Sequence, residues 1–383
     1  MKTKKVTLFN QVAGPLFIDI VNEFCMTYDE VILVTGRIES VSVVLNPKVE
    51  ILLITEYERS THYRRLKSWL SFYIKAYAFI IRTHNLGYII LTTNPPFLPF
   101  LGRLIEKRNY VRYCVLIYDI YPDVLLKFRF ITSKSFLFRL WLARNKRVYQ
   151  SAESIITISH VMKDNLSRII DSQKIRVIPP WVNTEFIHPI PKGNNWFIKK
   201  HGLEGKKIVL YSGNMGFTHD LQTFMLAAKE LNGMSTNMHF VLIGGGVQFE
   251  TLNRFKRDNE LSNVTILPYQ DSDTLPYSFG AADYGVVTLG SGAEFLSVPS
   301  KTFYYLAAGA AIIAISEKGS EIDKLVVNNS CGLSFRPNDY VSVVNFLLNT
   351  SKSELSRFQK NSRNLSKQYT EKNAKHFIPR SCA

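Results

Sequence analysis

The stretch IVLYSGNMGFTHDL, residues 208–221, joins three patterns that together decide the fold of this half of the chain. An apolar run ends abruptly, Gly213 and Gly216 follow it, and His219 and Asp220 stand before a helical periodicity. Glycines let backbone N–H groups come close to a ligand, and a helix N-terminus offers unpaired donors and partial positive charge. The stretch therefore predicts a buried strand, a loop suited to an anion, and a helix.

The segment that follows the loop is amphipathic. Between residues 221 and 228 the apolar side chains repeat at i, i+3, i+4 and i+7, the spacing of a helix packed on a sheet. The stretch FVLIGGGVQFETL repeats the strand and loop pattern with Gly244, Gly245 and Gly246. Glycine-rich turns between strand and helix are also common for structural reasons, so each loop alone leaves a packing role open.

Apolar runs rich in Val and Ile alternate with helical periodicity along almost the whole chain, which is typical of parallel βαβ units. Seven strand candidates, from KVTLF to IRVIP, precede a proline-rich linker at residues 179–195, and five more follow it. A chain of 383 residues also exceeds the size of one efficient core. We predict an α/β protein with two Rossmann-like parallel-sheet domains, residues 1–188 and 189–383, facing each other across a ligand-binding cleft. The last helix is a candidate for packing back on the first domain.

The net charge of +16 predicts an acidic partner, such as a nucleic acid, an anionic membrane surface or a phosphorylated substrate. Residues 61–82 and 127–147 interleave Lys and Arg with Trp, Phe and Tyr, as basic amphipathic helices at a lipid interface do. A helix that covers a sheet and exposes a basic face would show the same pattern, so both interpretations stay open. No RNP, helix-turn-helix or zinc-finger pattern accompanies the charge, which argues against nucleic acid as a partner.

Cysteine spacing and hydropathy indicate the compartment. The four cysteines lie far apart without a CxxC pair, which argues against a zinc site or a disulfide framework. No apolar run reaches the roughly 18 residues of a membrane span. We therefore expect a cytosolic protein that is not integral to the membrane.

Acidic residues at two places have competing interpretations. Asp271, Ser272 and Asp273 match a DxD metal motif, but they precede the helical pattern TLPYSFGAAD, where Asp and Ser are ordinary N-caps. We favour the cap and expect no metal cofactor. Asp119 ends the strand pattern RYCVLIYD, where it either caps the next turn or orients an acceptor and takes its proton.

The segment GAEFLSVPSKTFYYLAAGAAIIAIS, residues 292–316, contains a third motif. A loop with Glu294 leads through Pro299 to Ser300, the predicted N-cap of a short helix that begins with Lys301. Lysine is electrostatically unfavourable in the first turn of a helix, so its position there predicts a bound negative charge.

In this order and spacing, YSGNMGFTHDLQTFMLAAKEL, FVLIGGG, NVTILPYQDSDTLPYSFGAADYGVVTL and VPSKTFYYLAAGAAIIAIS resemble one known family. They are similar to the C-terminal half of retaining GT-B glycosyltransferases of family four, in the branch for bacterial O-antigen, capsule and colanic acid. YDIYPDVL, AESIITISHVMKDNL and IPPWVNTEFIHP resemble the N-terminal half of that branch, so the similarity covers nearly the whole chain.

The chain departs from the family pattern at two places. Many members carry Arg and Lys, five residues apart, in the first glycine loop, where this chain has Asn214 and His219. Many also carry two glutamates eight residues apart, where this chain has Leu296 and Tyr304, with Glu294 nearby. The WbuB-like branch shares the SGNMG…HD and PSK patterns, which implies that Lys301 and His219 supply the positive charge.

The resemblance implies transfer of a sugar, with retention, from a nucleoside diphosphate sugar, UDP-sugar first, to a saccharide on polyprenyl diphosphate. It implies a peripheral enzyme on the anionic inner face of the cell membrane that needs no metal. The implied catalytic residues are His219, Lys301 and Asp119; the implied donor-binding residues are Gly213, Asn214, Gly216, Asp220, Gly244, Gly245, Tyr269, Glu294, Pro299, Ser300 and Lys301; and Gly14 marks an N-terminal loop. Alternatives are a GT-B sugar-nucleotide epimerase, which the basic aromatic segments disfavour, and a scaffold that has lost catalysis, which the missing Arg, Lys and Glu motivate.

Overall fold

The computed structural model describes residues 4–40, 42–58, 60–109, 112–127, 131–290 and 298–379, which form two compact units. The first unit comprises Met1–Pro180 and Glu371–Ala383, and the second comprises Trp181–Thr370. The chain passes from one unit to the other inside the proline-rich segment, and the predicted boundary after residue 188 lies further along the same segment.

The first unit contains a parallel sheet flanked by helices. Its strands are β1 (Lys5–Phe9), β2 (Val12–Ala13), β3 (Glu30–Thr35), β4 (Arg37–Ile38), β5 (Val49–Leu53), β6 (Tyr88–Thr92), β7 (Tyr113–Ile117), β8 (Ser154–Thr157) and β9 (Ile175–Val177). Its helices are α1 (Pro15–Phe24), α2 (His62–Arg82), α3 (Leu101–Asn109), α4 (Asp123–Lys127), α5 (Phe136–Ser151) and α6 (His160–Leu166). In the described residues the main sheet has the order β5-β3-β1-β6-β7-β8-β9 with every pair parallel, and β2 pairs with β4 apart from it. All seven predicted strands are therefore confirmed.

One predicted helix of this unit is wrong at its start. The pattern over 127–147 predicts one helix, but Lys127 is the last residue of α4, residues 128–130 lie outside the described residues, and α5 begins only at Phe136, after Ser135 at the N-cap. Thr132, Ser133 and Ser135 have short polar side chains that compete with helical hydrogen bonding, and the N–H of Ser135 donates to the carbonyl of Thr132 in a turn. The predicted helix at 61–82 is confirmed as α2, and the Thr61 hydroxyl caps it.

The second unit has a parallel sheet of its own. Its strands are β10 (Lys207–Ser212), β11 (Met238–Ile243), β12 (Val264–Leu267), β13 (Tyr284–Thr288), β14 (Ala311–Ile315) and β15 (Gly332–Phe335). Its helices are α7 (Trp196–Lys200), α8 (Leu221–Leu231), α9 (Phe249–Asp258), α10 (Leu275–Gly280), α11 (Lys301–Ala308), α12 (Glu321–Asn328), α13 (Tyr340–Asn349) and α14 (Lys352–Ser366). The strand order among described residues is β12-β11-β10-β13-β14-β15. The five predicted strands are confirmed, and β15, which starts with a glycine and exposes Leu333, is an addition.

The core of the second unit explains why α8 lies on its sheet. The apolar face of α8 is buried against the strands, as its spacing predicts, through Leu221, Phe224, Met225 and Ala228. Helix α14 packs on α11 inside this unit, whereas the following 3-10 helix, Glu371–Phe377, packs on α1 in the first unit.

The strand order of the second sheet indicates where a ligand would bind. The order reverses between β10 and β13, so the connections after these strands leave to opposite faces. In open parallel sheets, ligands bind in the crevice at the carboxyl ends of the strands beside such a reversal. The residues after Ser212 and Thr288 are therefore the candidates for a site.

Among the described residues, no helix combines the length and apolarity that crossing a bilayer requires.

Candidate functional site

The loop after β10 is locked to the loop after β11 by backbone hydrogen bonds. The N–H of Gly213 donates to the carbonyl of Ile243 over 2.8 Å, and the N–H of Met215 donates to Gly245 over 2.7 Å. Gln248 closes the arrangement, because its side-chain amide donates to the carbonyls of Gly216 and His219. The two glycine loops thus form one rigid unit.

Gly244 is required for this contact. Its φ of +146° disfavours any L-residue, and a Cβ there would lie 1.9 Å from the carbonyl oxygen of Gly213. Gly246 is in the same situation, since a Cβ would lie 2.8 Å from the Met215 carbonyl. These two glycines serve loop packing, which is the alternative that the sequence left open.

The first loop nevertheless keeps free donors. The N–H groups of Asn214 and Gly216 have no hydrogen-bond acceptor among the described residues, whereas Gly213 and Met215 donate internally. The loop bends with support from Tyr211, whose hydroxyl donates to the Asn214 carbonyl over 2.6 Å. Two N–H groups at the carboxyl end of β10 can therefore bind an anion.

Lys301 reaches this loop from the first turn of α11. A Cβ on Gly213 would lie 3.0 Å from Lys301 Nζ, so Gly213 makes room for the ammonium group. Nζ is buried, lies 3.7 Å from the centre of the Tyr211 ring, and has no hydrogen-bond acceptor in the described parts of the chain. Burial lowers the pKa of Lys301 well below its usual value. A buried amine without an acceptor is costly, and an anion at the loop would supply one.

His219 belongs to the same cluster but is not a cation. Its Nδ1 lies 2.7 Å from the carbonyl oxygen of Thr288, to which the neutral ring donates. Burial, reinforced by the charge of Lys301, lowers the pKa of His219 to about 4, although the Thr288 hydrogen bond opposes the shift. The imidazole is therefore neutral near pH 7 in the ligand-free protein, and a positive charge on it beside a bound diphosphate stays a prediction.

Replacement of His219 by Asn is expected to make folding less sensitive to acid. The folded-state pKa lies below the usual 6.5, so stability is lost as pH falls from about 6.5 towards 4. Asn keeps a donor for Thr288 but does not titrate, so the loss of unfolding free energy between about pH 7 and pH 5 should shrink by about 1 to 2 kcal/mol. Urea unfolding at both pH values measures this, with the exposed His188→Asn as the control. An unchanged pH dependence in His219→Asn would contradict the neutral imidazole.

Asp220 caps α8. One carboxylate oxygen accepts from the N–H of Thr223 over 3.1 Å, and the other accepts from the Thr223 hydroxyl and the N–H of Asn338. The positive end of this helix is therefore already neutralised by its own carboxylate. Donor binding through Asp220 remains a prediction, and its contacts assign it a capping role.

The segment before α11 differs from its prediction in one respect. Ser300 occupies the N-cap and is exposed, but its hydroxyl makes no capping hydrogen bond. Its backbone angles are already helical, whereas a capping residue has extended angles. Instead, the Thr302 hydroxyl donates to the carbonyl of Pro299 over 2.7 Å. The predicted helix end is confirmed, since Gly309 has a left-handed φ of +72°. Glu294 lies outside the described residues.

Tyr269 lies flat against the second glycine loop. A Cβ on Gly245 would lie 3.1 Å from the Tyr269 ring, and the Tyr269 hydroxyl donates to the Gly245 carbonyl over 3.3 Å. The side chain remains 59% exposed. Donor binding through Tyr269 remains a prediction.

In the acidic motif before α10, Asp271 occupies the N-cap position of the 3-10 helix Ser272–Thr274, but its side chain makes no capping hydrogen bond. The predicted side-chain cap is therefore wrong. Within the described ranges, no group of three or more His, Cys, Asp or Glu side chains is arranged to hold a metal ion.

Asp119 and Gly14 belong to the first unit. Asp119 follows β7 and makes no hydrogen bond among the described residues, which removes the capping alternative, and burial raises its pKa to about 6. Gly14 is the N-cap of α1 with an ordinary negative φ, and a Cβ there would lie 3.9 Å from the Glu39 carbonyl oxygen, an ordinary van der Waals distance. A carboxylate of this kind accepts a hydrogen bond from a hydroxyl near neutral pH.

Sequence reasoning missed Tyr211 and Thr288. Tyr211 lies under Lys301, supports the first loop and contacts the edge of the His219 ring. The hydroxyl of Thr288 accepts from the N–H of Asp220 and donates to its carbonyl, while the Thr288 carbonyl binds His219. In the sequence both residues look like ordinary members of a strand. Only their position near the carboxyl end of a predicted strand could have indicated a functional role.

Comparisons with known proteins agree with this geometry. The model of Glycosyltransferase Family 4 matches residues 25–186, and the model of Glycosyl transferases group 1 matches residues 194–365. The chain is 23% identical to the probable glycosyltransferase WbjE of Pseudomonas aeruginosa over 79% of this chain and 76% of WbjE. It is 30% identical to the putative colanic acid biosynthesis glycosyl transferase WcaI of Escherichia coli K12, over 32% of this chain and 30% of WcaI.

A solved structure supports the same fold. HepE of Anabaena, crystallised with UDP and glucose, superposes with a TM-score of 0.73 at 12% identity and covers 98% of each chain. The two family models match consecutive parts of the chain, and both sheets are Rossmann-like and parallel. Two consecutive parts of the chain therefore match glycosyltransferase families, and the chain has the GT-B fold.

Proposed function

We propose that this protein transfers a sugar, with retention at the anomeric carbon, from a UDP-sugar to a saccharide on polyprenyl diphosphate. The reaction would serve bacterial surface polysaccharide synthesis at the inner face of the cell membrane. One relative named for colanic acid biosynthesis and a structural neighbour crystallised with UDP support this choice of pathway and donor.

One observation carries the proposal. Among the described residues, the amine of Lys301 is buried beside Gly213 without an acceptor, and the N–H groups of Asn214 and Gly216 in the same loop have none either. These donors and this cation match a diphosphate, whose negative charge grows as it leaves the sugar. Binding of the diphosphate would oppose the lowering of the pKa of Lys301 by burial and so favour the charged amine.

The proposed chemistry needs no dedicated base in the second unit. The bond between the anomeric carbon and the phosphate oxygen breaks, and the acceptor oxygen bonds to the same face of that carbon. The acceptor's proton passes to the leaving phosphate. We propose that Asp119, whose carboxylate is desolvated and free of hydrogen bonds among the described residues, orients the acceptor hydroxyl.

Incubation of the purified protein and bacterial membranes with a panel of labelled UDP-sugars tests this function. We expect one sugar to enter a lipid fraction that organic solvent extracts. Conversion of a UDP-sugar to its epimer without transfer would contradict the proposal in favour of an epimerase. Donor binding with neither transfer nor hydrolysis would contradict it in favour of a scaffold.

Activity is expected to survive thorough chelation with EDTA. The proposal assigns the neutralisation of the diphosphate to Lys301 and to backbone N–H groups, so a divalent ion has no required role. Transfer rates before and after chelation measure this. Loss of activity that magnesium or manganese restores would overturn the expectation.

We further propose that α2 attaches the protein to an anionic membrane. A stripe of large apolar side chains runs along its outer face at spacings of three or four residues, with exposures between 37% and 76%: Tyr63, Leu66, Leu70, Ile74, Tyr77 and Ile81. Exposed Arg64, Lys67, Lys75 and Arg82 flank this stripe, and α2 contains no Asp or Glu. Two copies of such a helix would repel each other, whereas an anionic leaflet attracts each basic side chain by about 1 kcal/mol.

The variant Ile74→Asp is expected to reduce binding to anionic liposomes by at least about tenfold, because it places a negative charge in the centre of the apolar stripe. Ile74 is 63% exposed, so the fold should tolerate the change. Flotation with phosphatidylglycerol liposomes measures the binding, and Val327→Asp on the exposed face of α12 is the matched control. Equal binding to neutral liposomes, or binding that high salt does not weaken, would contradict the electrostatic part.

A further inference from the structure

We propose that Tyr211 is a positioning residue, whose ring holds the amine of Lys301 at the diphosphate loop before the donor arrives. The inference rests on the proposed function, because the diphosphate of the donor is the group that Lys301 would meet. It adds a residue whose role the glycine loop and the PSK motif do not reveal.

The side chains of Lys301 and Tyr211 are in contact. Lys301 Nζ lies 3.7 Å from the centre of the Tyr211 ring, well inside the range of a cation–π interaction. No hydrogen-bond acceptor holds this amine among the described residues. A lysine side chain without such a bond would be free to change rotamer, and the ring face is the contact that restrains it.

Tyr211 itself is held rigidly. The side chain is fully buried in β10, and its hydroxyl donates to the carbonyl of Asn214 over 2.6 Å. The ring also meets the edge of the His219 ring, at 6.0 Å between centroids. One aromatic side chain therefore contacts the lysine, the loop and the histidine, and it cannot move without disturbing the core.

The hydroxyl and the ring of Tyr211 have different functions. The hydroxyl supports the loop, whereas the ring faces Lys301. Phenylalanine keeps the ring and loses the hydroxyl, while leucine loses both. The ring's effect acts through Lys301 on the diphosphate, so it should be felt by UDP and not by uridine, which has no phosphate.

The test is calorimetric titration of UDP and of uridine into the full-length protein. We expect Tyr211→Leu to lower the ratio of UDP affinity to uridine affinity by about threefold to thirtyfold. Tyr211→Phe should restore most of this ratio. In a Lys301→Met background, Tyr211→Leu should lower the ratio no further, because both changes remove one interaction.

Tyr284→Leu is the control for burial. Tyr284 is a fully buried tyrosine of the neighbouring strand β13 and packs on Phe346, so its loss should cost stability without changing the ratio. Equal weakening of UDP and uridine in Tyr211→Leu would overturn the inference and leave a structural role. Phenylalanine behaving like leucine would also overturn it. Failure of the wild-type protein to bind UDP would instead contradict the proposed donor itself.

Discussion

Replacing Lys301 with methionine is expected to lower turnover by about one to two orders of magnitude and to raise the melting temperature of the ligand-free protein. The first effect follows because a charge-assisted hydrogen bond to the leaving diphosphate, of about 1.5 to 3 kcal/mol, disappears. The second follows because the variant removes a buried amine that has no hydrogen-bond acceptor among the described residues. Methionine has a similar length and no polar group to desolvate.

The expected gain in unfolding free energy is about 1 kcal/mol, since the lost cation–π contact offsets part of the relief. Thermal melts with and without UDP, together with initial transfer rates, measure both effects. UDP should raise the melting temperature of the wild-type protein more than that of Lys301→Met. Lys229→Met, at an exposed position of α8, is the matched control and should change neither quantity.

Opposite signs for stability and turnover make this experiment decisive. A variant that simply fails to fold would lose both stability and turnover. If Lys301 served only packing, its replacement would lower stability without a selective loss of turnover. Wild-type turnover in a folded Lys301→Met protein would contradict the proposed site.

The second large effect is expected for Gly244→Ala, which should lower the free energy of unfolding by about 3 kcal/mol or more. A Cβ at Gly244 would lie 1.9 Å from the carbonyl oxygen of Gly213, so one of the two glycine loops must move. The φ of +146° adds backbone strain for any L-residue. Urea unfolding of the purified variant measures the loss.

Gly205→Ala provides a matched control in the same unit. Gly205 also has a positive φ, of +71°, but apart from its chain neighbours no described residue has an atom within 4 Å of the position its Cβ would take. It should therefore cost only the conformational penalty of about 1 to 2 kcal/mol. Equal losses in the two variants would contradict the close packing of the two loops.

Much of the fold follows from local patterns. The strands were predictable because they are continuous apolar runs rich in Val and Ile, and α8 was predictable because its apolar residues repeat with the helical period; neither pattern depends on distant partners. Helix α11 could likewise be bounded from sequence, since Gly309 has the left-handed angle that ends a helix. Helix α5 was misplaced at its start, because the polar residues before Phe136 favour a turn that the charge pattern conceals.

By itself, the sequence determined a two-sheet α/β protein and placed Lys301 at a helix start and glycines at a strand end. Only the tertiary structure decided that Gly244 serves packing while Gly213 makes room for Lys301. It also decided that His219 is neutral and that Lys301 lies over Tyr211. The physical reason is that burial and pairing of charges depend on neighbours distant in the chain, brought together when β10 pairs with β13.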